Sequence, residues 1–109
     1  MSLYAQYVKE REGAVTVESS EGFYSYKVDG DYIFIVDLYV VPEYRAKKVG
    51  SKFGREIEDI TRELGKSTIL CSASLESLNS SDAIAFIIMN GYEIINYTDT
   101  QVFFKKEIE

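Results

Sequence analysis

Histidine and tryptophan are absent from the 109 residues, and cysteine and proline occur once each. Without histidine the chain lacks the commonest general base at neutral pH and the commonest metal ligand. Chemistry must then rest on carboxylates, tyrosines, amines or the backbone, and no metal is expected. The lone Cys71 forms no internal disulfide and has no histidine to lower its pKa, so it reads as a small core residue. A chain without disulfides suits a reducing, cytoplasmic setting. No apolar run is long enough to span a bilayer, and no N-terminal stretch has a secretory pattern, so no membrane partner is expected. Basic charge is scarce as well, with 12 Lys and Arg against 18 Asp and Glu for a net charge of −6. Such a surface repels phosphate backbones, and no nucleic-acid partner is expected.

Hydrophobic residues make up 46% of the chain, which is enough for one core, while the length is too short for two domains. Residues 1–109 therefore read as a single domain. Tyr4, Tyr7 and Val8 share a helical face ahead of Gly13, and Val15 and Val17 alternate with polar neighbours as in a half-buried strand. Ser19 to Gly22 reads as a turn and Phe23 to Val28 as a second strand. Asp29-Gly30 reads as a type I′ hairpin loop that returns the chain into Tyr32 to Val41. That third strand is β-branched and aromatic almost throughout, the pattern of a central strand covered on both faces, until Pro42 stops its ladder.

Val49, Phe53, Ile57, Ile60 and Leu64 then mark one stripe of a helix closed by Gly65. Lys66 to Ser72 reads as a buried strand, which a right-handed crossover places parallel to the central one. Asn79, Ser80 or Ser81 caps a helix over Asp82 to Asn90, and Tyr92 to Tyr97 and Thr100 to Lys106 read as the last strands. The expected α/β architecture is a short N-terminal helix followed by β-β-β-α-β-α-β-β, a mixed and mostly antiparallel twisted sheet of about six strands flanked by helices.

The scarce positive charge is concentrated. From Glu43 to Arg55 stand Arg45, Lys47, Lys48, Lys52 and Arg55 against Glu43 alone. This island lies where the central strand gives way to the helix stripe, beside the N–H groups and positive dipole end of a helix N-terminus. Basic side chains are poorly placed there unless an anion is held, and phosphate is the natural guest. The bland alternative is a solvated turn beside a well-packed helix.

Tyr44-Arg45-Ala46-Lys47-Lys48-Val49-Gly50-Ser51-Lys52 resembles the acyl-CoA pyrophosphate loop of the GNAT superfamily of N-acetyltransferases. The family pattern there is Arg or Gln, two residues, Gly, one residue, then Gly or Ala; Arg45 and Gly50 match, and Lys48 stands in place of the first Gly. Element order is similar to the family core from about Val15 onward, and Gly91-Tyr92 resembles the Gly-aromatic pair that follows its last helix. The resemblance implies a small GNAT-like member, without counterparts of the family's first strand and first helix, that takes acetyl-CoA as cosubstrate. It implies that Arg45, Ala46, Lys47, Lys48, Val49, Gly50 and Ser51 hold the pyrophosphate. Leu38, Tyr39 and Val40 would offer main-chain groups to the thioester arm, and Asn79 and Phe86 would contact the cofactor from the last helix.

The same resemblance locates departures. Where members carry an acidic or His base this chain has Val36 and Phe34, and where many carry a Tyr general acid it has Ile87. Asp37 is the nearest carboxylate, and a regular strand points it to the other side unless a bulge re-aims it. Tyr92 is a candidate acid, and Tyr39 another. The expected reaction is acetyl transfer to a primary amine, a small cationic molecule or a protein amine, by direct attack in a ternary complex. The alternatives are a CoA-binding module without catalysis and a partner-binding domain. Val102-Phe103-Phe104 reads as a candidate homodimer interface.

Overall fold

The computed structural model describes residues 2–45 and 47–109; Met1 and Ala46, the latter one of the expected loop residues, lie outside the described residues. Three α-helices, α1 (Leu3–Glu12), α2 (Val49–Glu63) and α3 (Ser80–Met89), surround six strands. The strands are β1 (Val15–Ser19), β2 (Gly22–Asp29), β3 (Tyr32–Val40), β4 (Thr68–Ser74), β5 (Glu93–Tyr97) and β6 (Gln101–Glu107). They form one sheet in the order β1-β2-β3-β4-β6-β5, with β3 and β4 parallel and every other pair antiparallel. This is the mixed, mostly antiparallel sheet expected.

Local chemistry explains where the expected boundaries move. Asp29 pairs with Tyr32, so the hairpin loop is Gly30-Asp31. Only Gly30 takes positive φ, at 60°, which is the pattern of a type II′ turn and not of type I′. Strand β4 starts two residues late because the Gly65 and Lys66 N–H groups donate back to Arg62 O and Thr61 O and finish the helix. Leu64, expected in the α2 stripe, falls beyond the last turn and is 46% exposed. Thr61 is buried in its place, donating its hydroxyl to Ile57 O at 2.7 Å.

Side-chain alternation sorts the two faces of the sheet. Tyr24 on β2 and Ile69 on β4 meet Val49, Phe53 and Ile57 of α2 in the main core. Further along the same face of β4, Cys71 and Ala73 pack with Val102 and Phe104 of β6 beneath Ile84 and Ile87 of α3. Helices α2 and α3 therefore share one face. Phe23 and Ser25, opposite Tyr39 and Asp37 on β3, turn to the other face, where α1 sends Tyr4. Ser2 fixes the start of α1 by accepting from the Ala5 N–H at 3.0 Å. Val102-Phe103-Phe104 does not form the expected interface surface: it lies on the inner strand β6, with Val102 and Phe104 buried, while β5 forms the sheet edge with Ile94, Ile95 and Tyr97 exposed.

Ile57 joins helix to sheet at the centre of the main core. Ile57→Ala should cost about 2–5 kcal/mol through lost burial and the cavity it leaves, read as a lower urea midpoint with unchanged slope.

Candidate functional site: a slot where the sheet parts

The parallel ladder between β3 and β4 is short. It runs Tyr32↔Thr68, Ile33↔Ile69 and Phe34↔Leu70 and stops there. On its other side β3 keeps pairing with β2, but the register jumps from Tyr26↔Ile35 to Ser25↔Asp37, so Val36 is an extra residue, a β-bulge. A bulge bends its strand and sharpens the twist, and beyond it β3 and β4 diverge. The gap is a cavity of about 320 Å³ whose walls are the bulge segment of β3, β4 from Cys71 to Ser74, α2 and α3.

Small residues keep the slot open. Gly50 and Gly54, four apart on one face of α2, line it together with Ala73 and Ala83. A Cβ at Gly50 would stand 2.7 Å from Phe86 Cζ, so glycine there lets α3 approach α2. Gly54 was not among the expected site residues, although its spacing from Gly50 was legible in the sequence. Ser72, Ser74 and Asn90 also line the slot without a sequence signal that marks them. Lys106 fixes the α3 wall, donating to Asn90 O at 2.7 Å and to Glu58 Oε2 of α2 at 3.1 Å.

Backbone direction decides what the β3 edge offers. The Val41 N–H donates to Glu21 O on the β2 side at 2.8 Å. N–H groups alternate edges along a strand, so those of Leu38 and Val40 face the parted side and that of Tyr39 faces β2. Leu38 lines the slot. The Tyr39 side chain lies on the α1 face, 42% exposed.

At the slot's end α2 begins. Lys48 is its N-cap in a left-handed conformation, φ 63°, the only described non-glycine residue with positive φ. The loop pattern places glycine here, and the geometry supplies the reason: a Cβ in this conformation costs about 1–2 kcal/mol. Among the described residues, nothing accepts from the N–H groups of Val49, Gly50 or Ser51. The Val49 side chain belongs to the core. Arg45 folds back, donating from Nε to Val40 O at 2.9 Å with its guanidinium 5.5 Å from the centre of the Tyr39 ring. Lys47 lies 5.6 Å from the centre of the Tyr44 ring, and Lys52 pairs with Glu21 at 2.9 Å. Lys48 is exposed. Asn79 is the N-cap residue of α3, exposed and making no side-chain cap bond. Phe86 and Ile87 line the slot.

Asp37 accepts a hydrogen bond from the Tyr4 hydroxyl on the α1 face, while its segment also lines the slot. Tyr92 and Cys71 stand together in the slot wall, and burial raises the pKa of both, that of Cys71 to about 12. Both stay neutral at physiological pH, and burial makes Tyr92 a reluctant proton donor. Among the described residues no group of carboxylates and thiols is arranged to hold a metal.

The sequence model of the Acetyltransferase (GNAT) family matches residues 4–87, and the chain belongs to that family. No curated protein matches it significantly. Among solved structures it is similar to the PaiA N-acetyltransferase of Thermoplasma acidophilum in complex with coenzyme A, with 20% identity over 92% of this chain and 65% of that one and a TM-score of 0.76. The chain thus spans just under two thirds of that protein. It is similar also to the ribosomal-protein-S18-alanine N-acetyltransferase of Escherichia coli, with 15% identity over 99% and 77% of the two chains and a TM-score of 0.73. The anti-CRISPR protein AcrVA5 matches at 22% identity over 83% and 96%, with a TM-score of 0.67. At these identities the likenesses are of fold.

Lys48→Gly should stabilise the protein by about 0.5–1 kcal/mol, the relieved backbone outweighing the freedom glycine adds to the unfolded chain, measured by urea unfolding. Alkali should do the reverse. The folded Cys71 thiol keeps its proton to about pH 12, against 9.0 for a free thiol. Between those values the folded state binds more protons, and stability falls as pH rises through the window. Cys71→Ala should remove that part of the decline, followed as thermal midpoint against pH.

Proposed function

We propose that this chain is an acetyl-CoA-dependent N-acetyltransferase that passes an acetyl group to a primary amine by direct attack in a ternary complex. The slot carries the reading: a GNAT-family chain whose sheet parts at a bulge, beside helix N–H groups with no partner among the described residues. The residues fit an extended thioester, because glycine and alanine leave a narrow, mostly apolar passage that larger side chains would fill. Bound acetyl-CoA would supply the activated acetyl group.

Each part of the chain then has a task. The N–H groups of Leu38 and Val40 on the free edge of β3 are the donors available to polarise a carbonyl. The amides of Gly50 and Ser51 and the Lys48 ammonium face a diphosphate, and Arg45 joins them by releasing Val40 O. Lys47 adds charge, and Phe86 walls the passage. Asp37, on the opposite face, is the carboxylate nearest an incoming amine and takes up its proton directly or through water. Alignment of amine and thioester in the slot supplies much of the remaining rate. Tyr92 lines the passage and stands as a weak candidate acid.

A second reading, an acyl-CoA-binding module without turnover, is favoured by Val36 and Ile87. Both are apolar, both line the slot, and both hold positions where the resemblance places a base and an acid. We place the protein in the cytoplasm and put any homodimer contact on the β5 edge; elution as a monomer removes the latter.

Calorimetric titration tests the proposal. Acetyl-CoA should bind, and the analogue lacking the diphosphate should not. Lys48→Glu should weaken binding about tenfold, the worth of one charge-assisted contact. Gly54→Leu, which fills the slot while improving helix propensity, should abolish binding without lowering the thermal midpoint. Thiol release with a broad amine panel selects the transferase; binding without release selects the module; absence of binding overturns both.

A further inference from the structure

The slot runs deeper than an acetyl group needs. Strands β3 and β4 are parallel, and α2 and α3 each return against them, so every wall has an outer and an inner end. Leu38, Gly50, Ser74 and Ala83 stand at the outer end, where α2 starts. Ile35, Ile57, Cys71 and Asn90 stand at the inner end of the same four walls. The step from one set to the other is three residues on each strand and seven on each helix, which is about 10 Å by either rise. The donors available to a thioester carbonyl, the Leu38 and Val40 N–H groups, belong to the outer end. A two-carbon group held there does not reach the inner one.

The inner end is built as an apolar floor. Ile57 belongs to the main core and Cys71 to the second cluster, while Ile35 and Tyr92 pack against both, so the floor is the seam between the two. We infer that this floor is a subsite for the carbon chain of the acyl group, and that the donors this protein prefers are CoA thioesters of neutral chains longer than acetyl. This rests on the transferase reading and adds the class of acyl group to it. Acetyl is then the shortest member of the class and propionyl and butyryl are better ones.

Three features give the floor its selectivity. Gly54 and Ala73, between the outer and inner ends of their walls, leave the way down open. Charge is missing from the floor itself: Cys71 and Tyr92 are neutral there because burial raises the pKa of both. Lys106 lies 5.8 Å from the centre of the Tyr92 ring, but its ammonium donates to Asn90 O at 2.7 Å and to Glu58 Oε2 at 3.1 Å. No cation is left over for a carboxylate at the tip of the chain, and an unpaired charge is costly to bury. The same clamp ties the C-terminal end of α3 to α2 and β6, which fixes how deep the floor lies. Each methylene carried from water onto such a surface is worth about fourfold in binding.

The test is a calorimetric titration of the protein with CoA and with its acetyl, propionyl, butyryl, hexanoyl and succinyl thioesters. Affinity should rise about fourfold with each methylene from acetyl to butyryl. Succinyl-CoA, as long as butyryl-CoA but charged at its tip, should bind no tighter than acetyl-CoA. Ile35→Phe, which fills the floor, should bring the butyryl-to-acetyl affinity ratio to about one. Ile35→Ala, which deepens the floor, should raise the affinity for hexanoyl-CoA relative to butyryl-CoA. A ratio between two ligands of one variant is not moved by a general loss of stability, so a merely structural role for Ile35 would leave both ratios as they are in the parent. A flat or falling series, or a rise that neither Ile35 variant moves, would overturn the inference and leave the transferase reading standing. Succinyl-CoA binding as tightly as butyryl-CoA would put the chain in solvent and overturn it too. If neither CoA nor any thioester binds, the transferase reading falls and the inference falls with it.

Discussion

Parallel pairing between β3 and β4 ends at Phe34 and Leu70, and from there the strands run on different courses because Val36 has no opposite number on β2. Backbone groups along the parted edges lose their ladder partners, an arrangement that folded chains keep only where water, side chains or a ligand can take the bonds. Here one such group, Val40 O, is taken by Arg45. The rest of the site follows from that opening. Helices α2 and α3 must cover a wedge and not a flat sheet, and they meet across it only because Gly50 admits the Phe86 ring.

The distribution of charge repeats the division. Five of the twelve basic residues stand near the start of α2, and three of these are engaged: Arg45 with strand and ring, Lys47 near Tyr44, Lys52 with Glu21. These are exposed contacts of modest strength, and such pairs exchange partners at little cost. The backbone amides at the helix start are fixed by the fold, and the side chains around them are the adjustable part. On the opposite face Asp37 is exposed and accepts from the Tyr4 hydroxyl.

Much of this was legible in the residues. Periodicity gave the helices and strands, and turn chemistry gave the hairpin, misplaced by one residue because Asp29-Gly30 and Gly30-Asp31 satisfy the same dipeptide signal and only the strand register separates them. The stripe of α2 was right until Leu64, where the helix cap, and not the periodicity, decided the end. The basic turn before α2 was legible in its residues and Gly50, but not the back-folding of Arg45, which depends on a carbonyl freed by the parting of the strands. The bulge was foreseeable only as a condition on Asp37. Tyr4 could not be connected to Asp37 at all, since the contact joins a helix to a strand 33 positions away. The homodimer surface was misjudged because a run of Val and Phe reads alike on an inner strand and on an edge.

Helix α3 hides none of its residues completely, in contrast to α2, which sinks Val49, Phe53, Ile57 and Thr61. Its hold on the body of the protein relies on partly covered aliphatic contacts and on the Lys106 clamp at its C-terminal end. An element so loosely seated swings at small energetic expense compared with the sheet. The chamber thus has walls sunk into the core on the side of α2 and the sheet, and a less deeply seated wall in α3, pinned at its C-terminal end. Any widening of the slot would fall on that one panel, with the strand framework left undisturbed.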